Sequence, residues 1–486
     1  MKIKHMIKES ELDKMSKDNL FEIVFEIVKK GIVAVLENKS KDMVTLFRGY
    51  TNYPTISYGK NGFPSIFKNP YGNDDVIDYG KYFKRHSQLE NNKIDLTKYA
   101  EYTKLKKLIL QCDKYIEVYK PDDEDKLGLL DFTISNQLVD LISKVIHEFG
   151  EDNTLTKEQL IKFYQPLENR VLFENLDIEV FIPILFTKFE IKEYQLTDSI
   201  SIVEMSEVFQ KSRSTIESYS EGIPNPVLMS ATHALKLENC SIKNMNMWIG
   251  NSIFHDVNRY PLEQINAFFN TLRINNILTG YAQIISSPIN WTEGFKADLL
   301  DLKGIAVRMY PVEFNNYYWK KHDFPIVDEV RLKEIQLMFK ELVGSEYKKI
   351  NLACSRLENS FYRKDEGDKI IDIVIGLESL LSDNEKGEIT YKLSLRAAHL
   401  LQFSSLNDSK LDIFNNMKAI YSYRSAIVHG QNQNKLAKKR YIENVEGNKK
   451  LVLEVAENYL KECIKVLIHK PEFLDATVID NKLILA

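Results

Sequence analysis

The sequence has 486 residues, of which 44% are hydrophobic and 28% charged, with only 19 Gly and 13 Pro. This composition is typical of a folded protein with two or three domains, and it excludes a disordered chain, a fibrous protein and a small disulfide scaffold. Lys and Arg total 65 against 69 Asp and Glu, giving a net charge of −4. Any nucleic-acid site must therefore be a local feature of the surface.

The four cysteines are scattered, with no C-x-x-C pair and no histidine at ligand spacing, which argues against a zinc site and a disulfide framework. The opening residues lack the apolar core of a secretory signal, and polar side chains interrupt the longest charge-free stretch, residues 274–292. No glycine-rich phosphate-binding motif is present. We therefore expect a cytoplasmic protein without membrane contact and without a metal or other cofactor.

The first part of the chain mixes helical and strand patterns. Residues 19–38 are apolar at helical spacing, which predicts a packed helix. Tyr, Gly, Asn and Pro are frequent in residues 45–75, as in short strands and turns, and helical patterns return over residues 95–150. We assign residues 1–175 to an N-terminal mixed α/β module.

Strand patterning begins near Val180. Apolar residues alternate with polar ones around Phe189 and again at Ile200 and Ile202, and further strands are predicted at 277–285 and 304–312. These patterns define a β-containing middle module over residues 176–326.

Beyond Pro325 the chain has no proline until Pro471, and its apolar pattern predicts long amphipathic helices. We assign residues 327–475 to an all-α helical bundle and residues 476–486 to a C-terminal tail. The predicted fold class is therefore multidomain, with an α+β N-terminal and middle region followed by the bundle.

Three ionisable residues of the predicted bundle, Glu378, Arg396 and Arg424, fall on apolar helical stripes. The stripe of Glu378 contains Ile371, Val374 and Leu381. The stripe of Arg396 contains Ile389, Leu393, Leu400 and Phe403. The stripe of Arg424 contains Ile413, Met417, Ile420 and Ile427 or Val428. A buried charge is costly unless it is paired. One account is a structural ion pair of Glu378 with either arginine, or snorkelling of each side chain to the surface. The other account starts from the fact that one carboxylate cannot neutralise two arginines. The remaining positive charge would then bind an anion such as a phosphate.

A histidine follows the third of these residues. His429 lies five residues after Arg424 and directly before Gly430, which is typical of a helix end. Five residues separate two side chains by about 140° on an ideal helix, so a single straight helix does not aim both at one point. A shared site needs a helix end, or two copies of the motif facing each other in a dimer.

The block YSYRSAIVHG, with Arg424 and His429 spaced R-x4-H, resembles the signature of HEPN domains. The longer pattern is more specific: Arg356 and Arg363 precede IDIVIGLESLL, then YKLSLRAAHLL and AIYSYRSAIVHG follow in order. This order is similar to that of the Apea-like branch of HEPN, found among bacterial antiviral and stress-response proteins. The resemblance covers about residues 354–467.

The resemblance implies an HEPN-type bundle that cleaves RNA without a metal as a homodimer, with two motifs forming one cleft. It implies Arg424 and His429 as catalytic residues. It also implies supporting roles for Glu378, which would orient Arg424, and for Arg396, Tyr421 and Ser425. Histidine exchanges protons near neutral pH, as attack by a ribose 2′-hydroxyl requires, and arginine neutralises charge on phosphoryl oxygens. The expected products carry a 2′,3′-cyclic phosphate and a 5′-hydroxyl.

A basic segment follows the motif directly. Residues 435–450 contain six basic and two acidic side chains. We expect Lys435, Lys438, Lys439 and Arg440 to bind the RNA backbone. The alternative is a solvated linker between two helices.

The resemblance implies an endoribonuclease with tRNA or single-stranded RNA as substrate, and by family analogy alone a toxin or effector in bacterial antiviral defence. The N-terminal region would sense a phage-derived trigger or another regulatory partner, or restrain the nuclease. The alternative is a non-catalytic HEPN module that binds a partner or a nucleotide, in which the Glu and Arg residues hold the bundle together.

Overall fold

The computed structural model describes residues 11–41, 49–84, 93–119, 127–151, 154–216, 222–247, 251–316, 324–383, 388–443 and 449–485. Within these ranges no helix is both long and apolar enough to cross a membrane.

The N-terminal part packs helices around one apolar core. These helices are α1 (Glu11–Lys41), α2 (Ala100–Ile109), α3 (Asp113–Tyr119), α4 (Leu127–Phe149) and α5 (Lys157–Leu172). Two small antiparallel pairs accompany them: β1 (Gly49–Tyr50) with β4 (Asn73–Ile77), and β2 (Pro54–Tyr58) with β3 (Pro64–Lys68). The helix predicted at residues 19–38 and the short strands predicted within residues 45–75 are confirmed.

The middle part is built on a six-stranded antiparallel sheet with strand order β11–β10–β5–β9–β8–β7. Its strands are β5 (Asn175–Pro183), β7 (Glu193–Thr197), β8 (Ile200–Glu204), β9 (His233–Lys243), β10 (Tyr281–Pro288) and β11 (Lys303–Met309). The strand predicted at Ile200 and Ile202 is confirmed as β8, and those predicted at 277–285 and 304–312 overlap β10 and β11. The pattern around Phe189 gives only β6 (Lys188–Phe189), which pairs in parallel with β12 (Ile326–Val327).

Both faces of the sheet are covered. Helices α8 (Leu262–Ile274) and α9 (Glu329–Val343) share an apolar core with one face. The other face packs against α6 (Glu207–Arg213), α7 (Asn225–Met229) and the β2–β3 hairpin. The sheet is therefore buried between helices and a hairpin contributed by the N-terminal part.

The C-terminal part is the helical bundle that the sequence predicts. Besides α9 it contains α10 (Lys348–Tyr362), α11 (Glu366–Leu381), α12 (Ile389–Leu400), α13 (Lys410–Val428), α14 (Gln433–Lys439), α15 (Val452–His469) and α16 (Ala476–Leu485). Helices α10–α13, α15 and α16 contribute buried residues to one core, which also reaches α8. At Gly376 a β-carbon would lie 2.9 Å from the Leu460 side chain. The missing side chain thus lets α11 and α15 pack closely.

Two features of this part differ from the sequence-based prediction. The bundle is not all-α, because β13 (Tyr441–Glu443) and β14 (Lys449–Leu451) form an antiparallel hairpin between α14 and α15. The predicted tail from residue 476 is instead helix α16 over its described residues. Ile479 of α16 is fully buried in the bundle core, so burial of apolar surface holds this segment in place.

Candidate active site at the end of helix α13

Helix α13 carries the R-x4-H sequence and has well-defined ends. It begins with a capping box in which Ser409 and Asp412 exchange hydrogen bonds between side chain and backbone. At its other end the Gly430 amide donates to the Ile427 carbonyl oxygen and the Gln431 amide donates to the Ala426 carbonyl oxygen. This pair of bonds is a Schellman motif, and Gly430 adopts the positive φ of 59° that the motif requires.

The helix end places His429 in an accessible position. His429 is the C-cap residue of α13 and is exposed to solvent. Its backbone amide donates to the Ser425 carbonyl oxygen at 3.0 Å. In the part of the chain that the structure describes, its imidazole ring makes no hydrogen bond or ion pair. The ring is therefore available to a ligand.

Arg424, Tyr421 and Glu378 form one electrostatic cluster between α13 and α11. Arg424 and Glu378 are half-buried, whereas Tyr421 is buried. Burial raises the pKa of Tyr421 above its ordinary value, and the nearby Glu378 carboxylate raises it further, while Arg424 acts to lower it. The structure thus brings together three of the predicted site residues, and the tyrosine remains a protonated hydroxyl at neutral pH.

Two polar atoms of this cluster are not satisfied. Among the described residues, the Tyr421 hydroxyl and the Arg424 Nε atom are buried without a well-formed hydrogen bond. Such groups cost about 1–3 kcal/mol each. Arg356, which pairs with Asp372, also has a buried Nε atom of this kind, so this feature is shared by paired and unpaired arginines.

The other arginines of the motif pattern have carboxylate partners. Arg356 Nη1 and Arg363 Nε each lie 3.0 Å from the buried Asp372 carboxylate. Within the described ranges, Arg424 has no carboxylate within 4 Å, which distinguishes it from these residues. Its positive charge is therefore not neutralised by a direct ion pair.

Arg396 is buried as its stripe predicts, with 1% of the residue exposed. It does not pair with Glu378. Its guanidinium donates to Asp480 at 2.8 and 2.6 Å, to the Leu381 carbonyl oxygen at 2.9 Å, and to Asp383. These contacts tie α12 to the end of α11 and to α16. These contacts give Arg396 a structural role in place of the supporting role expected for it beside Arg424. Its positive charge is paired with aspartates, so it does not need a bound anion.

The predicted RNA-binding residues lie on and just after helix α14. Lys435 and Lys438 are exposed and Lys439 is half-buried, and none of the three makes an ion pair in the described part of the chain. Arg440 differs, because its guanidinium holds the Glu366 carboxylate through contacts of 3.0, 3.0 and 2.6 Å. Three flexible cations thus remain free beside the motif helix.

Two residues near the motif were not identified from the sequence. Glu366, in the first turn of α11, also accepts a hydrogen bond of 2.8 Å from the Tyr423 hydroxyl. Burial acts to raise the pKa of Glu366, but the hydrogen bonds from Arg440 and Tyr423 outweigh it and hold the pKa below its usual value. Tyr423 adjoins Arg424, but no sequence pattern pairs it with a carboxylate 57 residues away.

Comparisons with protein-family models, with curated proteins and with solved structures find no match to this chain. The functional argument therefore rests on the residues and their geometry.

Proposed function

We propose that the chain is a metal-independent endoribonuclease of HEPN type in which Arg424 and His429 act on the scissile phosphodiester. The ribonuclease acts as a toxin or effector in bacterial antiviral defence, and the region before residue 327 senses a trigger or restrains cleavage. Two copies of the chain supply one composite cleft. The substrate is RNA, either tRNA or a single-stranded RNA.

The observation that carries this proposal is the contrast between Arg424 and the other arginines of the motif pattern. Arg356 and Arg363 share the Asp372 carboxylate and Arg396 contacts two aspartates, whereas Arg424 has no ion pair among the described residues and lies five residues before an exposed histidine. An unpaired guanidinium and a free imidazole on the last turns of one helix are the two kinds of group that phosphodiester transfer uses, and a dimer could bring them to one phosphate.

The chemistry needs only these two side chains. The imidazole of one His429 removes the proton from the ribose 2′-hydroxyl, and the 2′-oxygen forms a bond to phosphorus. The bond from phosphorus to the 5′-oxygen breaks, and the leaving oxygen takes a proton from an imidazolium. Arg424 neutralises the negative charge that develops on the phosphoryl oxygens. The products are a 2′,3′-cyclic phosphate and a 5′-hydroxyl.

A dimer supplies two His429 imidazoles to one cleft, whereas a single helix end supplies only one. The imidazole that accepts the 2′-proton and the imidazolium that protonates the 5′-oxygen lie on opposite sides of the phosphorus. Two His429 side chains, one from each copy, can fill these two roles. The free cations Lys435, Lys438 and Lys439 would hold the RNA backbone on either side of the cleft.

A histidine substitution tests the proposal. We expect His429→Ala to abolish cleavage of end-labelled tRNA and single-stranded RNA in EDTA, because it removes the group that moves protons. The melting temperature should stay unchanged, because the exposed His429 ring makes no hydrogen bond or ion pair to other described residues.

His469→Ala is the matched control, because His469 ends helix α15 and its side chain is 61% exposed. It should cleave as the wild type does. Cleavage that survives in His429→Ala would contradict the proposal. If wild-type protein cuts no RNA and its expression during phage challenge causes no growth defect, the non-catalytic interaction or nucleotide-binding module becomes the better explanation.

A further inference from the structure

Three hydrogen-bond donors converge on the Glu366 carboxylate beside the motif helix. Arg440 Nε lies 3.0 Å from both carboxylate oxygens, and Arg440 Nη2 lies 2.6 Å from Oε2. The Tyr423 hydroxyl donates to Oε1 at 2.8 Å. The carboxylate thus lies in a small cradle of one guanidinium and one phenol.

The same donors fit a phosphate group. A guanidinium binds a phosphate with the same paired N–H groups that it offers to a carboxylate, and a hydroxyl adds a third donor. Burial, followed by the hydrogen bond to Glu366, raises the pKa of Tyr423 to about 12, so its hydroxyl remains a donor at neutral pH. The cradle is therefore suited to any compact anion with two or more oxygens.

The cradle lies directly beside the proposed active site. Tyr423 precedes Arg424 on α13, and Arg440 follows the basic helix α14. A β-carbon added at Gly367 would lie 3.1 Å from Ile427 Cγ2, so the first turn of α11 packs against the last turn of α13. A phosphate in the cradle would therefore lie against the last turns of α13, the helix that has His429 at its end.

The carboxylate can be displaced. The Glu366 side chain is 28% exposed and that of Arg440 is 44% exposed, so both reach solvent. An ion pair at such a position contributes about 1 kcal/mol or less. A phosphodiester carries its own negative charge and need not be desolvated further than the carboxylate it replaces.

We propose that Arg440 and Tyr423 form a binding subsite for an RNA phosphate, and that Glu366 occupies this subsite until RNA displaces it. The inference rests on the proposed function in one respect, namely that the ligand is RNA. It assigns to Glu366 the role of a competitor, and to Tyr423 that of a substrate-binding residue. RNA binding then requires an RNA phosphate to replace the Glu366 carboxylate at Arg440.

The experiment measures binding separately from cleavage. The full-length chain carries His429→Ala throughout, and the probe is a short fluorescein-labelled single-stranded RNA, followed by anisotropy in EDTA over a series of salt concentrations. Glu366→Gln should bind about fivefold more tightly, because Arg440 becomes free for a phosphate. The slope of log affinity against log salt should become steeper, because salt weakens the Glu366–Arg440 ion pair that RNA must break in the parent protein and that the variant lacks.

A charge-matched control separates this effect from a general loss of negative charge. Glu443→Gln removes one carboxylate from the same basic segment, where Glu443 and Lys449 lie 3.9 Å apart and both are exposed. Its affinity should change by less than about twofold, with the slope unchanged. Adding Arg440→Ala to Glu366→Gln should remove the gain, and adding Tyr423→Phe should reduce it while preserving the packing of the ring.

The outcomes distinguish the subsite from the proposed function. Equal effects of Glu366→Gln and Glu443→Gln, or a gain that persists with Arg440→Ala, would overturn the subsite while leaving RNA cleavage intact. No RNA binding by any form, including the parent that carries only His429→Ala, would overturn both proposals. Melting temperatures of all variants verify that each is folded.

Discussion

Arginine side chains in the helical bundle differ in what they contact, and the contacts separate structural from functional roles. Arg396 is almost fully buried and is held by Asp383, Asp480 and the Leu381 carbonyl oxygen. Arg424 is half-buried, and in the described part of the chain it has no ion pair. The first side chain connects three helices, whereas the second has no described carboxylate partner and is the one that we propose binds the phosphate.

Alanine substitutions at these two arginines should separate stability from activity. Arg396→Ala is expected to lower the free energy of unfolding by about 3 kcal/mol, because it removes the buried guanidinium that pairs with Asp383 and Asp480. Arg424→Ala should cost less than about 1 kcal/mol and abolish RNA cleavage. Urea denaturation of both variants checks the first quantity, and the cleavage assay checks the second. A larger loss of stability from Arg424→Ala than from Arg396→Ala would contradict this assignment.

The sequence predicts the burial of Arg396 but not its partners. Its spacing from Leu393 and Leu400 places it on a buried stripe, and spacing along one helix is a local property. Asp480 lies 84 residues further along the chain, on a helix that was expected to be a tail. Which carboxylate meets a buried arginine depends on how helices pack together, and this information is not contained in any short segment.

At the scale of one element, the end of α13 determines where His429 lies. The helix stops because Gly430 adopts a positive φ, which allows the Schellman bonds to Ile427 and Ala426 to form. Among the described residues, no atom lies within 4 Å of a β-carbon placed at Gly430, so backbone conformation is what restricts this position.

Substitution of Gly430 should therefore change stability through the backbone conformation and not through a clash of the new side chain. Gly430→Ala is expected to cost about 1 kcal/mol in unfolding free energy, because alanine disfavours the left-handed region. It should also reduce RNA cleavage, since the helix end that positions His429 becomes strained. Thermal denaturation and the cleavage assay in EDTA measure the two effects.

Gly430→Asn serves as the control, because asparagine tolerates the left-handed conformation better than alanine does. It should retain more stability and more cleavage than Gly430→Ala. Equal activity of the alanine variant and wild type would show that the position of His429 does not depend on this cap.

Elements differ in how well the sequence predicts them, for physical reasons. Long helices with one buried stripe, such as α11 and α13, are evident because the helical period repeats over several turns. Strand β9 was not predicted, although burial alternates from Leu235 onward, because its apolar pattern breaks at Asn239, where the backbone has a positive φ of 60°. Helix α16 was missed because it is short and follows a proline, and its packing against the bundle depends on distant residues.

At the scale of the whole molecule, the bundle is not separate from the sheet. Helix α9 belongs to the predicted bundle, yet Leu332, Ile335 and Phe339 pack into the core beneath the sheet. Arg273 of α8 is fully buried, contacts Glu358 at 3.5 Å and donates to the Tyr362 hydroxyl. The bundle and the region before residue 327 therefore share buried contacts, through which the proposed restraint of the nuclease could act.

Removal of the first 326 residues should destabilise the bundle. The fragment 327–486 would expose the apolar face of α9 and leave Glu358 without Arg273. We expect its melting temperature to fall by at least about 10 °C relative to the full chain. Circular dichroism melting of both proteins checks this value, and a cooperative transition at an unchanged temperature would show that the bundle folds independently.

The chemical ends of the RNA fragments test the central claim most directly. Full-length wild-type protein is incubated with RNA in EDTA, and the fragment ends are mapped by mass spectrometry and by their susceptibility to end-specific enzymes. We expect a 2′,3′-cyclic phosphate on one fragment and a 5′-hydroxyl on the other, because the ribose 2′-oxygen is the nucleophile that His429 activates. Fragments with a 3′-hydroxyl and a 5′-phosphate would contradict the account, since water would then be the nucleophile.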